Sequence, residues 1–186
     1  MTAEKTRIVA FGDSLSAGYG VKDEEGFVPQ LQAALRALGA EVQVESAAIS
    51  GDTSLDGRQR VDWMLRKKPD IVIVALGAND MLRAQPPALT YDNLDFIINR
   101  IHATNAKVLL AGMLATPTLG EAYVNEFAAI YPRLAEKHQV ALFPFFLQDV
   151  ATVAELNLPD GLHPNPAGIK IIAANIVPQV LELLRE

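Results

Sequence analysis

Short runs of β-branched and apolar residues recur along the chain, and most are followed by a stretch whose apolar residues fall at helical spacing. The candidate strands are Arg7 to Phe11, Glu41 to Glu45, Asp70 to Leu76, Lys107 to Met113 and Val140 to Phe143. Phe27, Leu31, Leu35 and Leu38 mark a first helix, closed by Gly39. Val61, Met64 and Leu65 mark a second, stopped before Pro69, and Tyr91, Leu94, Ile97, Ile98 and Ile101 a third, ended by Asn105. A fourth runs near Tyr123, Phe127, Ile130 and Leu134, where Pro132 demands a kink or a late start. The last begins near Pro166 and continues to the C-terminus past Pro178, a second expected kink. Strands alternating with helices build βαβ units, whose parallel sheet is covered on both faces. The chain is therefore expected to be of α/β class. For a five-stranded sheet with right-handed crossovers, the natural order is the flavodoxin-like 2-1-3-4-5.

At 186 residues and 50% hydrophobic, residues 1–186 suit a single domain with a full core. The net charge of −6 argues against a nucleic-acid partner, because phosphates call for basic patches. The one basic cluster, Arg66, Lys67 and Lys68, falls at a helix end and is read as a solvated group complementing the helix dipole. A small-molecule partner fits better. There is no cysteine, so disulfides, thiolate chemistry and Cys-based zinc sites are excluded. Apolar runs such as Ile71 to Leu76 are far shorter than the roughly 20 residues of a membrane span, and a soluble chain is expected. Met1 to Arg7 carries charge where a secretory signal has its apolar stretch. That start fits either a cytosolic protein or an exported one whose signal has been removed.

The 2-1-3-4-5 order reverses its winding between strands 1 and 3, and ligands of such sheets sit beyond the carboxyl ends of the strands at that reversal. Gly12-Asp13-Ser14-Leu15 follows the first candidate strand, Ser50-Gly51-Asp52 the second and Gly77-Ala78-Asn79-Asp80 the third, while Asp160-Gly161-Leu162-His163 lies beyond the fifth. One rim would then hold a hydroxyl, two glycines, an amide, a carboxylate and an imidazole, the components of nucleophilic acyl transfer. A serine hydroxyl needs a base within about 2.6–3.2 Å, and His163 can serve if its other nitrogen is held. Asp160, three residues earlier, can fix that tautomer and stabilise the imidazolium. The oxyanion formed on attack needs donors in place, for which the N–H groups of Ser14 and Gly51 and the Asn79 amide are candidates.

These residues resemble the SGNH hydrolases, the GDSL lipases and esterases, and most closely their bacterial branch of multifunctional thioesterases, arylesterases and lysophospholipases. The resemblance rests on four blocks in order: F-G-D-S-L-S-A-G-Y-G, S-G-D-T-S, L-G-A-N-D and D-G-L-H-P-N. It places the family's Ser, Gly, Asn and His on Ser14, Gly51, Asn79 and His163, and the acid on Asp160. It implies a three-layer α/β/α sandwich, no cofactor and no metal, and hydrolysis of carboxylic esters or thioesters through an acyl-enzyme. Asp80 to Pro87 resembles the branch's substrate-binding switch loop. Members of the branch are often exported, so a periplasmic or secreted mature form is expected, with the cytoplasm as the alternative.

Other readings of the same residues are available. Asp13, Asn79, Asp80, Asp160 and His163 are all oxygen or imidazole donors, as a metal-dependent phosphoesterase requires, although a single rim histidine is a poor ligand set. A hydroxyl- and glycine-rich loop after strand 1 can also cradle a phosphate, as in a non-catalytic FMN-binding module. Asp13 is expected to order the loop of Ser14, with Asp52, Asp56 and Asp80 as caps or hydrogen-bond acceptors. His102 and His138, at helix ends away from the rim, are expected at the surface. Met81, Leu82, Met113, Leu114, Pro117, Leu119, Phe145, Phe146 and Leu158 would lie on or near the rim loops, either as an acyl groove or as ordinary core. The later glycines of the first block are expected to keep its loop open to substrate.

Overall fold

The computed structural model describes residues 5–185. Of the charged N-terminal stretch, residues 1–4 lie outside it, as does residue 186 at the C-terminus. The five strands β1 (Thr6–Gly12), β2 (Val42–Ser46), β3 (Ile71–Ala75), β4 (Lys107–Ala111) and β5 (Ala141–Phe143) form one parallel sheet in the order β2-β1-β3-β4-β5. This is the order the alternation predicted. β3 is buried at every position, as a strand covered on both faces must be, whereas the edge strand β2 alternates Val42 and Val44 inward with Gln43 outward.

On one face α2 (Phe27–Ala37) packs against α8 (Pro166–Arg185). On the other, α3 (Ser54–Leu65) packs against α5 (Pro87–His102), and α5 against α7 (Ile130–His138). Gly39, with φ at +85°, follows α2 as its C′ glycine. The late start at Pro132 is realised as a break: α6 (Glu121–Ala128) ends, and α7 begins at Ile130 with the proline in its first turn. At Pro178, by contrast, α8 continues unbroken as one helix of 20 residues. By length and composition α8 could cross a membrane. Here Ile169, Ile172, Ile176 and Val180 are buried in the common core, which accounts for its apolar character.

Several expectations require correction. His138 is no surface residue: its side chain is 7% exposed and its Nε2 lies 2.6 Å from Asp95 Oδ1, an oxygen that also accepts from Lys137 Nζ. Its ring meets that of His102 edge-on, and burial together with the neighbouring His138 holds the pKa of His102 down. Lys67 is likewise paired, with Glu45 at 3.0 Å. Of the two readings left open for the apolar rim residues, core holds for Met113 and Phe146, the latter meeting Phe27 edge-on, while Leu82 and Leu114 are exposed.

Candidate functional site

Gly12 of β1 is level with Ala75 of β3, so the segments leaving the two strands emerge side by side. Asp13 caps the short helix α1 (Ser14–Ala17), its Oδ1 accepting from the Leu15 N–H at 3.0 Å. The cap places Ser14 at the first helical position, where its own N–H has no partner within the helix. Gly12 itself permits a close approach: a Cβ there would lie 2.8 Å from the Ala75 carbonyl oxygen. Asp13 is fully buried, and its carboxyl is pushed up to about 7 by that burial, against the Leu15 N–H, with Asp52 and Asp80 adding repulsion. Its expected role in ordering the loop is therefore met by geometry, at an electrostatic cost the sequence does not display.

Beyond β5 the chain is irregular yet tightly tied. Leu158 N–H donates to the His163 carbonyl at 2.7 Å, Asn157 pairs with Pro164, and Asn165 Oδ1 accepts from the N–H groups of Ala167 and Gly168 to cap α8. Within this frame Asp160 Oδ1 accepts from the N–H groups of Leu162 and His163, and Asp160 Oδ2 lies 2.7 Å from His163 Nδ1. Those backbone donors, followed by the imidazole, pull the Asp160 carboxyl down to about 2, so it stays ionised at neutral pH. The other ring nitrogen, Nε2, lies 3.0 Å from Ser14 Oγ. A continuous hydrogen-bonded chain thus runs from carboxylate through imidazole to hydroxyl, joining residues 149 positions apart.

Asn79 lies in a short helix, α4 (Ala78–Leu82), rather than in an open loop. Its Nδ2 donates to the Asp52 carbonyl at 2.9 Å and is 3.5 Å from Asp13 Oδ2, so the amide bridges the loops after β1 and β2. Gly51 has φ at +88°, and its carbonyl accepts from Arg83 Nη2 at 3.0 Å. The Gly51 N–H has no acceptor among the described residues. The stretch resembling a switch loop is partly helical: Asp80 to Leu82 belong to α4 and Pro87 opens α5, which leaves Arg83 to Pro86 as the connection.

The three further aspartates divide as acceptors. Asp56 closes a capping box with Thr53, and Asp52 pairs with Arg60 at 2.5 Å. Asp80 is buried and turned inward, accepting from the Ser54 and Thr90 hydroxyls and the Ser54 N–H. Asp80 is thereby drawn away from the ligand set a metallophosphoesterase would need, and no group of three or more His, Asp or Glu gathers for a metal among the described residues.

Two residues of consequence escape a reading of the sequence. Arg60 of α3 donates to the Ala47 and Gly12 carbonyls as well as to Asp52, and its guanidinium lies 4.3 Å from the Phe11 ring centroid, which fastens the loops after β1 and β2 together. It sits among ordinary helical polar residues and gives no local signal. Tyr19, flanked by glycines, lies on His163 with ring centroids 4.4 Å apart.

The chain matches the GDSL-like Lipase/Acylhydrolase family over residues 10–171. It is 39% identical over 179 residues to an arylesterase of Vibrio mimicus, covering 96% of this chain and 90% of that one. It is 35% identical over 178 residues to thioesterase 1/protease 1/lysophospholipase L1 of Escherichia coli strain K12, covering 95% of this chain and 84% of that one. Among solved structures, the psychrotrophic esterase EstA from Pseudoalteromonas sp., inhibited by monoethylphosphonate, superposes with a TM-score of 0.92 at 32% identity, covering 98% of this chain and 100% of that one. Four sequence blocks in order, the parallel sheet they border and these likenesses agree: the chain belongs to the GDSL-like lipase/acylhydrolase family, the SGNH hydrolases.

Proposed function

We propose that this SGNH hydrolase cleaves carboxylic ester and thioester bonds through an acyl-enzyme on Ser14. The observation that carries the reading is the Asp160–His163–Ser14 chain, with contacts of 2.7 and 3.0 Å. Ser14 Oγ attacks the acyl carbon while His163 Nε2 takes its proton; the ester C–O or thioester C–S bond then breaks, and the same nitrogen returns the proton to the departing alcohol or thiol. Water repeats the sequence on the acyl-enzyme, releasing the acid and restoring the Ser14 hydroxyl. Asp160, ionised throughout the working pH range, holds the Nδ1–H tautomer and offsets the imidazolium charge.

The oxyanion is received by the Ser14 and Gly51 N–H groups and by the Asn79 amide. One Asn79 hydrogen is engaged by the Asp52 carbonyl at 2.9 Å, and the other has only the long 3.5 Å contact with Asp13 Oδ2 to give up in turning to the developing charge. Aryl esters and acyl thioesters are the substrate classes for which the named relatives point the way. The test is a panel of p-nitrophenyl esters and acyl-CoA thioesters of graded length on wild type and Ser14→Ala. Loss of turnover in a variant with unchanged melting supports the reading; near-normal turnover refutes it. A periplasmic or secreted location, resting on the family resemblance, belongs to the same proposal, and cell fractionation that finds the protein in the cytoplasm rejects it.

A further inference from the structure

Gly18 and Gly20 hold φ at +77° and +75°, a region that side chains disfavour, and Tyr19 stands between them. The N–H groups of Gly18 and Tyr19 both donate to the Ser14 carbonyl, tying this turn to the residue that bears the hydroxyl. The turn is not held open. A Cβ on Gly20 would lie 2.7 Å from Leu158 Cδ1, so the glycine lets the first loop press against the loop carrying His163. The result is the Tyr19 ring resting on the imidazole at 4.4 Å, tilted by 37°. Because Tyr19 remains 52% exposed, burial of the ring does not account for two left-handed glycines around it.

His163 is held at its edges, by Asp160 at Nδ1 and by its own backbone bonds to Asp160 and Leu158. Rotation about the bond joining imidazole to Cβ is soft, and a swing about the Asp160 anchor carries Nε2 away from Ser14. A ring lying on the imidazole face opposes that swing. Its π-face also meets the positive charge that develops as Nε2 takes the Ser14 proton, an attraction stronger in the transition state than in the resting enzyme.

We propose that Tyr19 is a positioning residue: its ring keeps His163 in line with Ser14 and stabilises the imidazolium formed during attack. The proposal rests on the assignment of His163 as the base. Tyr19→Ala lowers kcat about two- to tenfold, the factor that corresponds to one aromatic pair, and leaves KM for a short aryl ester unchanged. Phosphonylation of Ser14 by a small alkyl phosphonate, which needs the same base and offers no acyl chain, slows by the same factor. Tyr19→Phe restores both rates, because the ring and not the hydroxyl acts. A change confined to KM, phosphonylation at the wild-type rate in Tyr19→Ala, or failure of Tyr19→Phe to restore kcat overturns the proposal. Ser14→Ala, assayed alongside, separates the two levels. Turnover in Ser14→Ala sinks the acyl-enzyme reading itself, whereas a dead Ser14→Ala beside a fully active Tyr19→Ala sinks only the role of Tyr19.

Discussion

Replacing Asp13 by Asn should stabilise the protein at alkaline pH and do little at acid pH. Asp13 is fully buried beside Ser14 with its carboxyl pushed up to about 7 from an ordinary 3.8, first by desolvation and then by Asp52 and Asp80. A raised carboxyl binds more protons in the folded than in the unfolded state across that window, so stability falls as pH rises from about 4 to 7 and the loss is complete above it. Full ionisation corresponds to a destabilisation on the order of 4 kcal/mol. Asparagine is as good a cap as aspartate, so the Leu15 N–H keeps its acceptor while the titrating charge is gone. Denaturant unfolding of wild type and Asp13→Asn at about pH 4.5 and 8.5 should show the advantage of the variant growing by about 3 kcal/mol between them. For a chain of this size that corresponds to about 6–12 °C in Tm. Groups that do not interact with Asp13 contribute equally to both proteins and cancel in the comparison, while relief of its repulsion with Asp52 and Asp80 is part of the effect measured. A constant difference, or one that shrinks with rising pH, refutes the reasoning.

Two further substitutions test the surroundings of the site. Asn79→Ala should cost about 10²–10³ in kcat for an aryl ester, as the loss of one oxyanion donor does, and steady-state kinetics showing a change in KM alone would contradict that role. Gly77→Ala should destabilise by about 3 kcal/mol or more, because φ there is +119° and the new Cβ falls 2.1 Å from Tyr131 Oη. Tyr131→Phe removes that atom but also its bond to the Leu76 carbonyl, so Gly77→Ala should cost less when measured by melting in the Tyr131→Phe background than in wild type; an equal cost in both would assign the whole effect to backbone strain.

The order of the sheet was legible because strands alternate with helices and right-handed crossovers leave few doubly wound orders, and the nearly continuous apolar runs of β1, β3 and β4 fit strands buried on both faces. That Ser14 and Asn79 leave neighbouring strands was legible because strand ends in such a sheet share a rim, and the irregular stretch beyond β5 brings Asp160 and His163 to Ser14. His138 was misread because its partners are distant in sequence, Asp95 lying 43 positions away on another helix. For Met113 and Phe146 the sequence left groove and core both open, and burial decides for core, Phe146 against Phe27. Asp80 was expected as a cap or hydrogen-bond acceptor, and the tertiary structure adds that its donors are Ser54 and Thr90 and that it is buried.

Periodicity, proline and glycine placement and four short blocks determined an α/β sheet of five strands and a serine, an imidazole and a carboxylate at its carboxyl edge, since those signals are local and repeat along the chain. The tertiary structure decided what is pairwise and distant: the 3.0 Å between His163 and Ser14, the clamp of Arg60 on two loops, the burial that lifts Asp13, and the Tyr19 ring on the imidazole. The physical reason is that hydrogen bonds, desolvation and ring contacts depend on separations of a few ångströms, and sequence distance carries no record of those separations until the sheet brings its edges together.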